Sequence, residues 1–102
     1  YSSDLSLKKN IRTIPDALKK ILSLDGVAFE WKKDGAPSVG LIAQDVEKVF
    51  PELVTTDKKS KEKYVNYGAL VAPLIEALKE QQKQINTLKQ EISALKNNTQ
   101  QK

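Results

Sequence analysis

Two residues near the start of the chain have types that could do chemistry together. Ser3 carries a hydroxyl and Lys8, five positions on, carries an amine. A serine oxygen attacks a carbonyl carbon when a base takes its proton, and a lysine serves as that base once it is neutral. In water a lysine has a pKa of about 10.4, so it must be desolvated to act this way at neutral pH. The chain has no histidine and no cysteine, which removes the commonest base and the thiolate nucleophile. The spacing is demanding. Positions five apart lie well off each other's face on a helix and on opposite faces of a strand. Ser3 and Lys8 therefore meet only if the chain bends between them, or if Lys8 reaches the Ser3 of a neighbouring protomer. Either route makes the site depend on tertiary or quaternary order. Taken alone, the pair reads as a solvated terminus, and Lys9 and Arg12 show how common cations are in this stretch.

The rest of the chain must supply that order. Its 102 residues allow one small domain with a modest core. The hydrophobic share is 39%, and the last third is visibly polar, which suggests a head plus an extension that cannot fold alone. The net charge of +4 is spread along the chain, and the densest run, DKKSKEK at 57–63, mixes acids with its lysines. A solvated loop fits that run better than a nucleic-acid footprint, which concentrates charge and interleaves aromatics. Without Cys or His, disulfides and the common zinc sites are excluded, and no cofactor or metal is expected. No apolar run approaches membrane-spanning length and no signal-peptide pattern opens the chain, so a soluble protein without a membrane partner is expected.

The stretch TIPDALKKILSLDG predicts a first helix, with Thr13 as its cap, Pro15 in its first turn and Gly26 as its stop. VAFEWKK alternates, with Val27, Phe29 and Trp31 on one side, and predicts a half-buried strand closed by a turn at Lys33-Asp34-Gly35. Phe29 and Trp31 are expected in the core. Pro37-Ser38 reads as a second turn. Ile42, Val46 and Val49 then fit one helical face, with Phe50 adjoining and Pro51 forcing an end. Gln44 and Asp45 fall at the start of this helix as capping or inter-protomer candidates. LVTT (53–56) and KYVNY (63–67) predict a hairpin around the lysine-rich loop. The head, residues 1–70, is therefore α+β, with short helices and a small sheet.

From Asn66, a reasonable cap, the pattern is helical almost to the end, with Pro73 expected to bend the first turns. Over 71–102 the spacing becomes strict. Val71, Leu78, Ile85, Ile92 and Thr99 share one heptad position, and Leu74, Gln81, Leu88, Leu95 and Lys102 share the other. This three–four alternation is a coiled-coil seam. A helix lying on its own head fits less well, because the head is too small to cover it and the flanks are polar nearly all round. Glu91 and Lys96 sit where neighbouring parallel helices would pair them. Ile at a with Leu at d puts a dimer slightly ahead of a trimer, and Gln81 would trim stability while fixing register.

Read in order, SSDLSLKKNI, LDGVAFEW, VGLIAQDVEKVFPELV, YVNYGALVAPLIEALKEQ and the terminal seam resemble one family. It is the C-terminal intramolecular chaperone domain of phage tail spikes, tail fibres and endosialidases, shared with the myelin regulatory factor proteins. The resemblance implies a parallel homotrimer, which overrides the lean to a dimer. It implies that the domain aligns three chains of an upstream β-rich fibre or spike segment and then releases itself. This would happen in the host cytoplasm during virion assembly. The family's S-D-x-x-x-K motif maps onto Ser3, Asp4 and Lys8, so Ser3 would be the nucleophile, Lys8 the general base and Ser2–Ser3 the scissile bond. Tyr1 and Ser2 would then be the client's last residues. Asp4 and Gln44 are auxiliary candidates. Ser6 departs from the family, which often has a basic residue there. The competing expectation is a non-enzymatic homotrimerisation module that stays attached to its fibre. A nucleic-acid adaptor is not favoured.

Overall fold

In the computed structural model, which describes residues 2–100, the alternating residues at 27–30 form strand β1 (Val27–Glu30). Tyr1 and Lys102, named above for the junction and the seam, lie outside the described residues. The partner of β1 is β2 (Pro37–Gly40), antiparallel, with Val27 opposite Gly40 and Glu30 opposite Pro37. Pro37 and Ser38 thus belong to a strand rather than to the expected turn. Pro37 is tolerated because it opens a strand at a sheet edge, where no ladder donor is required of it. The hairpin closes at once after Glu30. Trp31 N–H donates to the Ala36 carbonyl at 3.0 Å and Gly35 N–H to the Trp31 carbonyl at 2.7 Å. Gly35 makes this possible with φ +74°. Trp31 is therefore turned outward and is 50% exposed, not a core residue; its ring meets Phe29 edge-on at 4.9 Å.

Helix α1 (Ala17–Leu22) starts later than Thr13 and Pro15 predict. Asp16 stands at its N-terminus in the left-handed region, φ 53°, and makes no side-chain cap. The cap comes from far away instead, because Leu18 N–H donates to Glu80 Oε2 at 3.2 Å. The helix ends at Leu22, with Ser23 rather than Gly26 at its C-cap, and Ser23 Oγ donates to the Lys20 carbonyl at 2.6 Å.

Helix α2 (Ala43–Val49) stops before Pro51, as expected, and a 3-10 turn (Pro51–Leu53) leads into β3 (Val54–Thr56). Ile42 precedes α2 as its N-cap residue and stays 44% exposed, and neither Gln44 nor Asp45 caps the helix. β3 pairs antiparallel with β4 (Lys63–Val65), Val54 opposite Val65. Their loop is organised by Asp57, whose Oδ1 accepts from Lys59 N–H at 2.8 Å and Ser60 N–H at 2.9 Å.

The core is made of two adjoining clusters. Val46, Phe50 and Leu53 form one under β3 and β4. Ala17, Leu18 and Ala77 form the other, between α1 and the long helix α3 (Val71–Gln100). Ile14 and Ile21 touch both and join them. Burying Phe50 alone contributes about 1.5–3 kcal/mol. Asn66 does cap the start of the terminal helical run, accepting from Ala69 N–H at 3.1 Å, through a 3-10 turn (Gly68–Leu70) that passes directly into α3. Pro73 falls in the first turn of α3, where a missing N–H costs little.

The expected architecture, a small α+β head followed by a long helix, is the one that forms. It is elongated, 71 × 42 × 21 Å. Among the described residues no helix is long and apolar enough to cross a membrane.

Candidate functional site

Asp4 decides how the chain starts. Its side chain accepts from Ser6 N–H at 2.8 Å and caps a 3-10 turn over Leu5–Leu7. Leu7 N–H closes onto the Asp4 carbonyl and Lys8 N–H onto the Leu5 carbonyl, both at 3.1 Å. Extended residues flank this single turn, Asp4 before it and Lys8 after it. The turn doubles the chain back, and Lys8 Nζ donates to Ser3 Oγ at 2.7 Å. The bend that the spacing required is therefore a 3-10 turn, and the contact forms within one chain. The pairing is more local than expected, since it spans only the turn and needs no other element. The Ser6 side chain, and then its N–H, hold the Asp4 carboxyl below its ordinary range.

What tertiary structure adds is a wall. Ser2, Ser3 and Lys8 line a cavity of about 440 Å³ together with Asn66, Gly68, Ala69 and Ala72. Asn66 follows β4, and its N–H donates to the Leu53 carbonyl at 2.8 Å, so the wall is fastened to the second hairpin. Ser3 and Lys8 themselves are exposed in the single chain.

Gln44 is not brought to this cavity. It lines a separate aromatic groove with Phe29, Trp31, Tyr64 and Tyr67. At the foot of that groove Leu41 N–H donates to the Tyr67 hydroxyl at 3.0 Å. A Cβ on Gly40 would sit 2.9 Å from the same oxygen, so a larger residue there would push the Tyr67 hydroxyl aside. Among the described residues no three acidic side chains gather into a set able to hold a metal.

The seam residues lie on the outside of α3. Val71, Leu74, Leu78, Gln81, Ile85, Leu88, Ile92 and Leu95 are all exposed. A different stripe, Pro73 and Ala77 with Glu80, faces α1.

A profile of the peptidase S74 family, described as the chaperone of endosialidase, matches residues 3–55, more than half of the chain. The chain belongs to this family. The matched segment begins at Ser3, includes Asp4 and Lys8, and ends in β3. This family member is also similar to long tail fibre protein Gp37 of Salmonella phage S16. They share 33% identity over 105 residues, covering 93% of this chain and 14% of that protein. It is 36% identical over 85 residues to the Gp37 proteins of Enterobacteria phages K3 and T2, which covers 76% of this chain and 7% and 6% of theirs. The chain thus spans 14% or less of the length of these relatives.

Asn66 and Gly68 were not legible as part of a site, because they are some sixty positions from Ser3. The local signal in YVNYG, an Asn before a Gly at a helix start, points to a cap and nothing more.

Proposed function

We propose that this family member is an intramolecular chaperone for an upstream tail-fibre segment, and that it trimerises, aligns its client and then releases itself. The observation that carries the reading is the Ser3–Lys8 contact of 2.7 Å at the first residues of the family match. The long tail fibre relatives support a fibre segment as the client and virion assembly in the host as the setting.

In the proposed step, Ser3 Oγ bonds to the carbonyl carbon of Ser2 while its proton passes to a neutral Lys8 amine. The C–N bond to Ser3 breaks, and its nitrogen takes that proton, leaving an ester by N-to-O shift. Water then adds to the ester carbon, the C–Oγ bond breaks, and Ser2 leaves with a carboxylate. The present contact has Lys8 as donor; catalysis needs the reverse, with the hydroxyl donating to a neutral amine. Burial favours the neutral form of a lysine, and a neighbouring protomer covering the cavity would provide it. Assembly would then switch on cleavage by drying a pair that each chain has already formed.

The exposed apolar seam supports self-association, because a contiguous stripe of this kind marks an interaction surface. Three parallel strands follow from the family resemblance; the Ile and Leu placement alone leans to two.

A second reading has one observation in its favour. Both dyad groups are exposed, which is also what a trimerisation module that never cleaves would present. The test uses a chain extended upstream into its fibre segment. Cleavage before Ser3, seen by intact mass and N-terminal sequencing, and its loss in Ser3→Ala and Lys8→Ala, support the peptidase. An intact parent chain under native folding conditions, or unchanged cleavage in both variants, removes it. Sedimentation equilibrium decides between two and three strands.

A further inference from the structure

Self-cleavage at Ser2–Ser3 also needs something to hold the negative charge that grows on the Ser2 carbonyl oxygen. On the dyad reading above, we propose that Asn66 supplies this oxyanion donor through its side-chain amide nitrogen. Two of the other polar groups that line the cavity with Ser2 and Ser3 are committed. Lys8 Nζ is engaged with Ser3 Oγ, and Ala69 N–H with Asn66 Oδ1. The second of these contacts also fixes which way the Asn66 amide faces. Ala69 N–H needs an acceptor, so the oxygen points to it and the NH2 group points elsewhere. Among the described residues that NH2 group has no hydrogen-bond acceptor.

Asn66 is also held firmly enough for the task. Its backbone N–H is tied to the Leu53 carbonyl at 2.8 Å, at the end of the β3–β4 ladder, and its side chain is tied to the start of the helical run. A donor fixed at both ends needs no reorganisation when charge appears, which is the property that makes an oxyanion hole effective. The chemistry is that of the step above. One N–H of Nδ2 is offered to the tetrahedral oxygen, and no proton leaves Asn66.

Asn66→Asp tests this in the upstream-extended chain. Aspartate keeps the oxygen that Ala69 N–H requires and keeps the shape, but it removes both N–H donors. The expected result is cleavage slowed about 10²–10³-fold, with thermal unfolding and oligomeric state unchanged. Raising the pH should not restore the rate. Recovery at high pH would mean that the new carboxylate merely kept Lys8 charged, and would overturn the proposal. Cleavage at close to the parent rate would overturn it directly. If Asn66→Asp does not fold, Asn66→Ser retains a capping oxygen without the amide, and parent-rate cleavage there overturns the proposal equally. The dyad is judged separately. Inactive Ser3→Ala and Lys8→Ala beside an active Asn66→Asp would remove only the role of Asn66, whereas unchanged cleavage in the first two would remove the dyad.

Discussion

Two stretches of α3 handle apolar residues in different ways. Between Pro73 and Glu80 the helix packs on α1, and it does so through small groups: Pro73 and Ala77 are buried there, with Ala77 only 4% exposed. In the same turns Leu74, Ile75 and Leu78 remain exposed. From Gln81 to Thr99 every described residue is exposed, including Ile85, Leu88, Ile92 and Leu95. The chain thus packs α3 on α1 through small side chains and leaves the large side chains of α3 exposed. The Pro73–Ala77–Glu80 stripe and the Val71–Leu74–Leu78 stripe lie on different faces, so the seam passes the head without interruption. On the proposed function, folding of the head and association of the stalk would use different faces of one helix.

Substitutions should break one half of that division and spare the other. The largest effect is expected from Leu88→Asp with Ile92→Asp. Two charges on the seam should abolish association, giving a monomer by sedimentation equilibrium, while the head keeps its near-UV signature; a persistent oligomer would show that the seam is not the interface. Phe50→Ala comes next. It empties the larger core cluster and should cost the head about 3–5 kcal/mol by chemical denaturation, with the stalk still associating. Loss of both together would make head and stalk one cooperative unit. Ala77→Leu should overpack the α1–α3 contact and cost about 1–3 kcal/mol, whereas Leu78→Ala next to it should change only the association constant.

The smallest effect concerns Asp4. Its carboxyl is held below the ordinary range by the Ser6 side chain and then by Ser6 N–H. A depressed carboxyl stabilises fully above its unfolded pKa of about 3.9 and loses that contribution as pH falls through the lower folded value. The Leu5–Leu7 turn, followed by the Ser6 amide resonance, should therefore persist at neutral pH and fray only in strong acid. Asp4→Asn should flatten that dependence, and the core clusters should not respond.

The parts legible in the sequence were those that neighbouring residues decide. The β3–β4 hairpin, the stop at Pro51 and the long C-terminal helix each follow from a local pattern of alternation, a missing donor or helical spacing. The start of α1 did not, because its cap is Glu80, sixty-two positions from Leu18. Nor did β2, since Pro37 and Ser38 look like a turn until β1 pairs with them. Trp31 looked like core because alternation says nothing about where a hairpin ends. At the site, Ser3 and Lys8 were legible as residue types, but helix and strand geometry offered no way to join them. A single 3-10 turn does so, and its cue, an aspartate two residues before a serine N–H, is short enough to pass unnoticed. The wall from Asn66 to Ala72 is a product of tertiary structure alone.

Ala72 has a consequence for how client chains would leave the domain. It lines the cavity that holds Ser2 and Ser3, and it directly follows Val71, the first residue of the seam. In the proposed parallel trimer, symmetry would set the three junctions at one height around the axis, with no stagger among them. A β-rich client is sensitive to that. An offset of one residue, about 3.3 Å along a strand, turns every inward side chain outward. Placing the junction beside the seam would make the phase of the three outgoing chains a property of helix pairing, settled before the first client strand forms.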